Sequence, residues 1–430
     1  MDNIRQAVRG MPSQLSIPIL RHILRLPAPV ARIIMNELTE PLGKNQSYIK
    51  KVYNGGWNGA WIGEGMAKLD NFDQIKERVR NADVVLFNVH GGPFRVGTST
   101  MFMNAYSAWI KILKEKHNIN AVIMSVKYRL APEHKYPAAT EDTVKAYKYL
   151  TKTLGILPHK VVVTGDSAGG AILLETMLEI YAPELLSGAG SSTASDRTRN
   201  SKELPAAMLL VSPVMCAETK SPSWKKNAKH DMVGPKLFKK VFKEYFGTTD
   251  PSATDVRLIA MTQMQHGFDQ FLPKNAMIVV GSKEVMRDDI TEMALRVVKN
   301  SNVTGHLLSE DYAHDWYVIR DTVKNKDALK RSDRIFADFV ANALQEAKRD
   351  NEGNATGKLI DTGSSISEQE TPESTVKFTR NGLTMSFTKG TVLELMGNFE
   401  GDNVAVDGYG RTLDSIADMA GSSQTRLLAA

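Results

Sequence analysis

Cysteine is almost absent: Cys216 is the only one in 430 residues. No disulfide can form within the chain, which suits a reducing compartment. Long apolar runs are absent as well. A membrane-spanning helix needs about 18 or more consecutive apolar residues, and no such run exists. The N-terminal stretch lacks the apolar core of a secretory leader, because Pro18, Arg21, His22 and Arg25 interrupt it. No basic footprint stands out. The 54 Lys and Arg are mixed with 48 Asp and Glu for a net charge of +6, which argues against a nucleic-acid partner. No paired Cys/His spacing offers a metal site. Gly91-Gly92 is no phosphate loop, since it lacks the Lys-Ser/Thr that nucleotide binders place after theirs. The expectation is an intracellular protein, cytoplasmic or membrane-associated, of undetermined oligomeric state.

What is present is ordinary for a soluble enzyme: 42% hydrophobic and 24% charged residues exclude global disorder. Short β-rich apolar runs alternate with helical patterns between about residues 84 and 348. Val84–Val89, Ala121–Val126, Val161–Thr164, Met208–Val211 and Met277–Val280 read as buried strands, with Gly305–Leu308 a weaker sixth. Continuous apolar runs suit strands covered on both faces, and helices between them imply a mostly parallel sheet. Thr140–Leu154 and Phe102–Lys116 are two such helices. Residues 48–66 are expected to form an antiparallel leading edge. Residues 187–202 read as a polar surface insertion.

Three regions follow. Residues 1–45 form an N-terminal segment in which Ile17, Leu20, Leu24, Ile33 and Ile34 alternate with Arg21, Arg25 and Arg32. Two readings stay open for it: a helical cap over an active site, or an amphipathic segment giving peripheral membrane contact. Residues 46–348 form the α/β domain, with a cap insertion at about 213–275 that includes a helix over Pro235–Phe246. Residues 349–430 form a low-complexity extension. Within it, 350–375 reads as a linker, and Val376–Phe387 alternates around Asn381-Gly382 as a hairpin does.

Chemistry enters with Gly165-Asp166-Ser167-Ala168-Gly169. It follows a strand and precedes a helix, the context a G-x-S-x-G nucleophile elbow requires. The glycines allow a sharp turn where larger residues would clash with the neighbouring strand and helix. A serine hydroxyl needs a base, and in this architecture an acid and then a histidine follow it in the chain. His314 lies after the last strand, on a loop able to reach the carboxyl ends of the strands. His306 lies within that strand, and His266 breaks the chain order. For the acid, Glu284 and Asp288 both follow the Met277–Val280 strand. Glu284 is nearer the strand end, where an acid can orient the imidazole. Asp289 reads as a helix N-cap paired with Glu292.

The residues also carry a family resemblance. His90-Gly91-Gly92, Tyr128-Arg129-Leu130-Ala131-Pro132-Glu133-His134, Tyr136-Pro137-Ala138-Ala139 and Gly165-Asp166-Ser167-Ala168-Gly169-Gly170 resemble the hormone-sensitive lipase-like branch of the α/β-hydrolases. The similarity covers roughly residues 80–345. Within that branch the chain is similar to fungal esterases of the steryl acetyl hydrolase type. The resemblance implies an α/β-hydrolase fold with a helical cap that sets substrate choice. The family's triad acid opens an Asp-Pro-Leu-Arg-Asp-like string, which falls here on Glu284-Val285-Met286-Arg287-Asp288. The family's His-Gly-Gly-Gly turn builds the oxyanion hole, implying Gly91, Gly92 and Ala168 for that role. The last glycine of that motif is Pro93 here, and proline has no N–H to give.

The expected reaction is therefore cleavage of a carboxylic ester, a short acyl group such as acetyl leaving an apolar alcohol, with Ser167, His314 and Glu284 catalytic and no cofactor. Pro93 motivates one alternative: a degenerate hydrolase fold serving as a binding protein or as a non-hydrolytic catalyst of isomerisation or cyclisation. His90 is expected to orient its loop. Arg129, Glu133, Glu141 and Asp142 are expected to form a buried or semi-buried polar scaffold. Trp57, Trp61, Phe94 and Trp316 either line an apolar pocket or pack in the core.

Overall fold

Val84-Val85-Leu86-Phe87-Asn88-Val89 can be buried on both faces only if its one polar side chain finds partners. In the computed structural model it does. The structure describes residues 11–53, 55–186, 204–250, 256–357, 375–380 and 383–388. The run forms β3 (Val84–Val89), between β4 (Ala121–Val126) and β5 (Val161–Asp166), all buried. Asn88 donates to Tyr106 Oη at 2.8 Å and to Ser125 Oγ at 3.0 Å, and accepts from Thr164 Oγ1 at 2.9 Å. A buried amide left unpaired would cost about 1–3 kcal/mol; here the polar rung ties three strands instead.

The sheet continues through β6 (Ala207–Val211), β7 (Asn275–Gly281) and β8 (Thr304–Glu310), all parallel. On its other side, β1 (Ile49–Val52) and β2 (Gly59–Ile62) add the antiparallel edge. Beyond β8 come β9 (Thr375–Arg380), parallel to it, and β10 (Leu383–Thr388), antiparallel to β9. The order is β1-β2-β4-β3-β5-β6-β7-β8-β9-β10. A parallel sheet built this way opens its ligand-binding end at the carboxyl ends of the strands.

In chain order the helices are α1 (Ser13–Arg25), α2 (Ala28–Thr39), α3 (Phe72–Arg80), α4 (Met103–His117), α5 (Ala138–Lys148), α6 (Ser167–Tyr181), α7 (Pro222–Lys226), α8 (Pro235–Phe246), α9 (Arg257–Gln263), α10 (Arg287–Lys299) and α11 (Lys326–Gly357). The helix expected to reach Leu154 narrows to α5, followed by a wider turn over Tyr149–Thr153. Among the described residues, no helix is long and apolar enough to cross a membrane.

α1 and α2 turn two arginines and Leu24 toward the body, while Leu15, Ile19, Val30 and Ile33 stay exposed. Arg21 Nε donates to the Asp231 carbonyl at 2.9 Å, Arg32 Nε donates to the Arg95 carbonyl at 2.7 Å, and Leu24 is buried. In return Arg95, itself buried, donates to the Leu26 carbonyl at 2.9 Å and faces Glu244 of α8 at 3.4 Å. Both cap pieces thus share one guanidinium. Phe94 stacks on Tyr245 of α8 with ring centroids 4.3 Å apart.

Several expectations are corrected. The boundary at 348/349 falls inside α11, which continues to Gly357. Asn351 Nδ2 meets His159 Nδ1 at 2.6 Å, and Lys274 lies 3.9 Å from Asp350, so contacts to the body carry the helix on. Arg129, Glu133 and Glu141 are exposed rather than buried. Arg129 holds Glu141 at 2.7 Å and Asp142 at 3.0 Å, while Glu133 pairs with Arg32. Asp289 lies in the first turn of α10 instead of capping it, and accepts from Ser221 Oγ and Trp224 Nε1, both at 2.9 Å. Glu292 pairs with Arg296. The insertion at 187–202, most of the linker (358–374), the turn residues Asn381 and Gly382, and 389–430 lie outside the described residues.

Candidate active site

β5 ends at Asp166 and α6 begins at Ser167, whose φ is +47°. A left-handed backbone costs a non-glycine residue roughly 1–2 kcal/mol, so the packing around it must enforce the turn. The flanking glycines make that packing possible. A Cβ on Gly169 would stand 2.2 Å from the Val89 carbonyl oxygen, and one on Gly165 would stand 2.9 Å from that of Gly169. The helix therefore sits directly against the end of β3. The Ser167 side chain is left at the carboxyl end of the sheet, beside the positive N-terminus of α6.

The loops after β7 and β8 bring two more side chains to it. His314 Nε2 lies 2.8 Å from Ser167 Oγ, and His314 Nδ1 lies 2.9 Å from Glu284 Oε2. All three residues are buried. The other Glu284 oxygen accepts from the Gly281 N–H at 2.6 Å and from Ser212 Oγ at 3.2 Å. Those bonds fix the carboxylate with one oxygen aimed at the ring. Asp288, the rival acid, points elsewhere: it accepts from the Ser223 N–H at 2.8 Å and from Arg287 Nε at 2.8 Å. It ties α7 to α10 and does not reach His314. His306 lies in β8 opposite Met277, toward the start of that strand, and His266 is exposed.

The opposite wall is the His90–Val96 turn. His90 is neutral in its surroundings: burial lowers its pKa to about 4, against the opposing hydrogen bond with the Gly91 carbonyl. It stacks on Tyr128 at 4.5 Å, and Tyr128 Oη donates to the His90 carbonyl at 2.7 Å. His90 thus orients the loop. Of the three residues expected in the oxyanion hole, Gly91 is corrected. Its N–H donates to Asp166 Oδ2 at 2.8 Å and is not available to a substrate. The Gly92 N–H makes no hydrogen bond among the described residues. Ala168 is in the first turn of α6, where N–H groups lack intrahelical acceptors. Pro93 precedes Phe94, whose φ is +56°; both the Arg95 and Val96 N–H groups close on the Gly92 carbonyl. Proline second and a left-handed residue third is the pattern of a type II turn.

Three residues that sequence reasoning missed support the histidine and its acid. Asp315 Oδ2 lies 3.2 Å from His314 Nε2. Ser212 Oγ accepts from the Asp315 N–H at 3.0 Å while donating to Glu284. Asp231, from the cap insertion, accepts from the Val285 N–H at 2.6 Å, and burial raises its pKa to about 6. Trp57, Trp61, Phe94 and Trp316 are all core: Trp57 packs edge-on against Trp61, and Trp316 packs against Tyr312 and Tyr317. A cavity of about 120 Å³ is lined by residues including Leu20, Met35, Leu38, Met101, Val318 and Ile319; Ser167, Glu284 and His314 do not line it.

The fold that carries this site is shared with known proteins. A family model described as alpha/beta hydrolase fold matches residues 86–318, more than half of the chain. An esterase of Acinetobacter venetianus is 28% identical over 219 residues, covering 50% of this chain and 62% of the relative. An acetyl-hydrolase of Streptomyces hygroscopicus is 28% identical over 216 residues, with the same coverage of 50% and 62%. The matched stretches thus span less than two thirds of either relative. An esterase from the bacterial hormone-sensitive lipase family superimposes with a TM-score of 0.56 at 22% identity, covering 76% of this chain and 96% of that one. The chain belongs to the α/β-hydrolase family. Its fold is that of the hormone-sensitive lipase-like esterases.

Proposed function

We propose that this protein is a serine carboxylic-ester hydrolase that removes a short acyl group, acetyl above all, from an apolar alcohol. The unbroken line from Ser167 Oγ through the His314 ring to Glu284, with contacts of 2.8 and 2.9 Å, carries the reading. Ser167 attacks the ester carbonyl as Nε2 takes its proton. Glu284 holds the Nδ1 proton and stabilises the imidazolium. The tetrahedral oxyanion is met by the N–H groups of Gly92 and Ala168, at the end of α6 where negative charge is favoured. The Nε2 proton passes to the alcohol oxygen, the C–O bond breaks and an acyl-serine remains. Water activated by His314 then releases the acid. Relatives named esterase and acetyl-hydrolase support the class of reaction.

A fluorophosphonate probe tests the proposal. Ser167 is expected to carry the label, and the protein to turn over p-nitrophenyl acetate. Neither label nor turnover would leave a binding protein or a non-hydrolytic catalyst as the better reading.

The cavity between α1, α2 and the body supports an apolar alcohol. The Val318 and Ile319 N–H groups close on the Asp315 carbonyl, so its wall begins one turn beyond the histidine. Filling it by Met101→Trp is expected to lower kcat/KM for acetylated sterols by about tenfold or more, the scale of losing a hydrophobic subsite. p-Nitrophenyl acetate turnover should stay near wild type. An equal loss on both substrates would place the alcohol elsewhere.

A further inference from the structure

Two carboxylates, on opposite sides, lie within hydrogen-bonding range of the His314 ring. Glu284 takes Nδ1. Asp315 Oδ2 stands 3.2 Å from Nε2, the nitrogen Ser167 must also use. This placement is built into the loop. Asp315 has a φ of +59°, so its backbone reverses and returns the side chain to the face of its neighbour. Its N–H is held by Ser212 Oγ at 3.0 Å, and its carbonyl accepts from the Val318 and Ile319 N–H groups at 3.1 and 2.8 Å. Its side chain is only 7% exposed, and Oδ1 is buried with no hydrogen-bond partner among the described residues.

The proton count decides what that contact means. A neutral ring with its proton on Nδ1 offers a lone pair at Nε2. A carboxylate oxygen facing a lone pair is repelled, so the contact is attractive only with a proton between the two atoms. The surroundings favour that proton. Glu284 from the loop after β7, Asp231 from the cap insertion and Asp315 itself place acidic groups around the ring; Asp166, at the end of β5, also faces it, but burial and the charge of Asp315 push its own carboxyl well above the usual range, so it adds little charge.

We propose that Asp315 is a positioning residue that shares the Nε2 proton and so keeps His314 an imidazolium in the resting enzyme, releasing the base to Ser167 only as the pH rises. The inference rests on Ser167, His314 and Glu284 acting as the triad. Burial alone would lower the pKa of this imidazole. The charge and hydrogen bond of Asp315, followed by the Glu284 hydrogen bond and the charge of Asp231, outweigh burial and hold it well above the ordinary histidine value. Loss of the proton to solvent opens the Nε2 lone pair to the Ser167 hydroxyl. During acylation the Ser167 hydroxyl proton moves to Nε2 and leaves with the alcohol, so Asp315 is unchanged over the cycle.

Histidine 15N NMR tests this directly, with the His314 signal assigned by its loss in His314→Gln. The wild-type ring is expected to titrate above neutrality. A midpoint at or below the ordinary value of about 6.5 overturns the proposal without any variant. In Asp315→Asn the midpoint should fall by about 1 to 3 on the pH scale, the usual effect of removing an adjacent opposite charge. The acid limb of kcat/KM for p-nitrophenyl acetate should fall with it, and Asp315→Glu should restore both. An unmoved midpoint in a folded Asp315→Asn protein also overturns it. A midpoint that moves while turnover ignores His314 ionisation upholds the role of Asp315 and fails the triad instead.

Discussion

Alanine in place of Ser167 is expected to lower ester turnover by about 10⁴- to 10⁶-fold, the range found when a hydrolase nucleophile is removed. The fold should survive the change. The side chain is small, and the positive φ at this position strains serine and alanine alike. His314 loses one partner but keeps Glu284 on Nδ1. Thermal melting should therefore stay close to wild type while kcat/KM for p-nitrophenyl acetate collapses to the residue that oxyanion donors and binding supply. Turnover retained within tenfold would remove Ser167 from the chemistry.

The second large effect runs the other way. Pro93→Gly is expected to raise kcat by about 100-fold, and up to about 1000-fold, because one oxyanion donor is typically worth that much. Gly91 spends its N–H on Asp166, and Pro93 has none, so the proposed oxyanion hole is left with Gly92 and Ala168. A third donor would act on the charged intermediate far more than on the neutral ester, so kcat should rise and KM change little. The cost is a freer unfolded chain, worth about 0.4–1 kcal/mol of stability. Steady-state kinetics and a melting curve measure both. An unchanged kcat would mean that the two donors already suffice and that Pro93 limits nothing.

Much of this was legible in the sequence because local pattern determines it. Apolar runs such as Val84–Val89 announce buried strands, and Gly165 and Gly169 announce a turn that only glycine fits. Chain order then pointed to His314, and the strand end to Glu284. The remainder depends on contacts between distant residues. Nothing near Asp231 in the chain shows that it will meet the Val285 N–H across the cap. Asp315 is adjacent to His314 in sequence, yet a neighbour on a loop normally points away. Only a left-handed backbone held by Ser212 turns it back. Gly91 belonged to the right motif but not to the right role, since its N–H is taken by a residue 75 positions later. The last turns of α11 read as a linker because Asn and Gly are poor helix formers; the partners that carry it on, His159 and Lys274, lie far back in the chain.

The grip of Arg21 on Asp231 has a consequence for how such an enzyme can change its diet. Arg21 belongs to α1, which also contributes Leu20 to the cavity wall, and it fastens the main chain of the residue whose carboxylate steadies Val285, next to Glu284. In the proposed reading, alcohol selectivity and base alignment hang on the same peg. A lineage that reshapes this helix to admit a new alcohol also tugs on the acid of the triad.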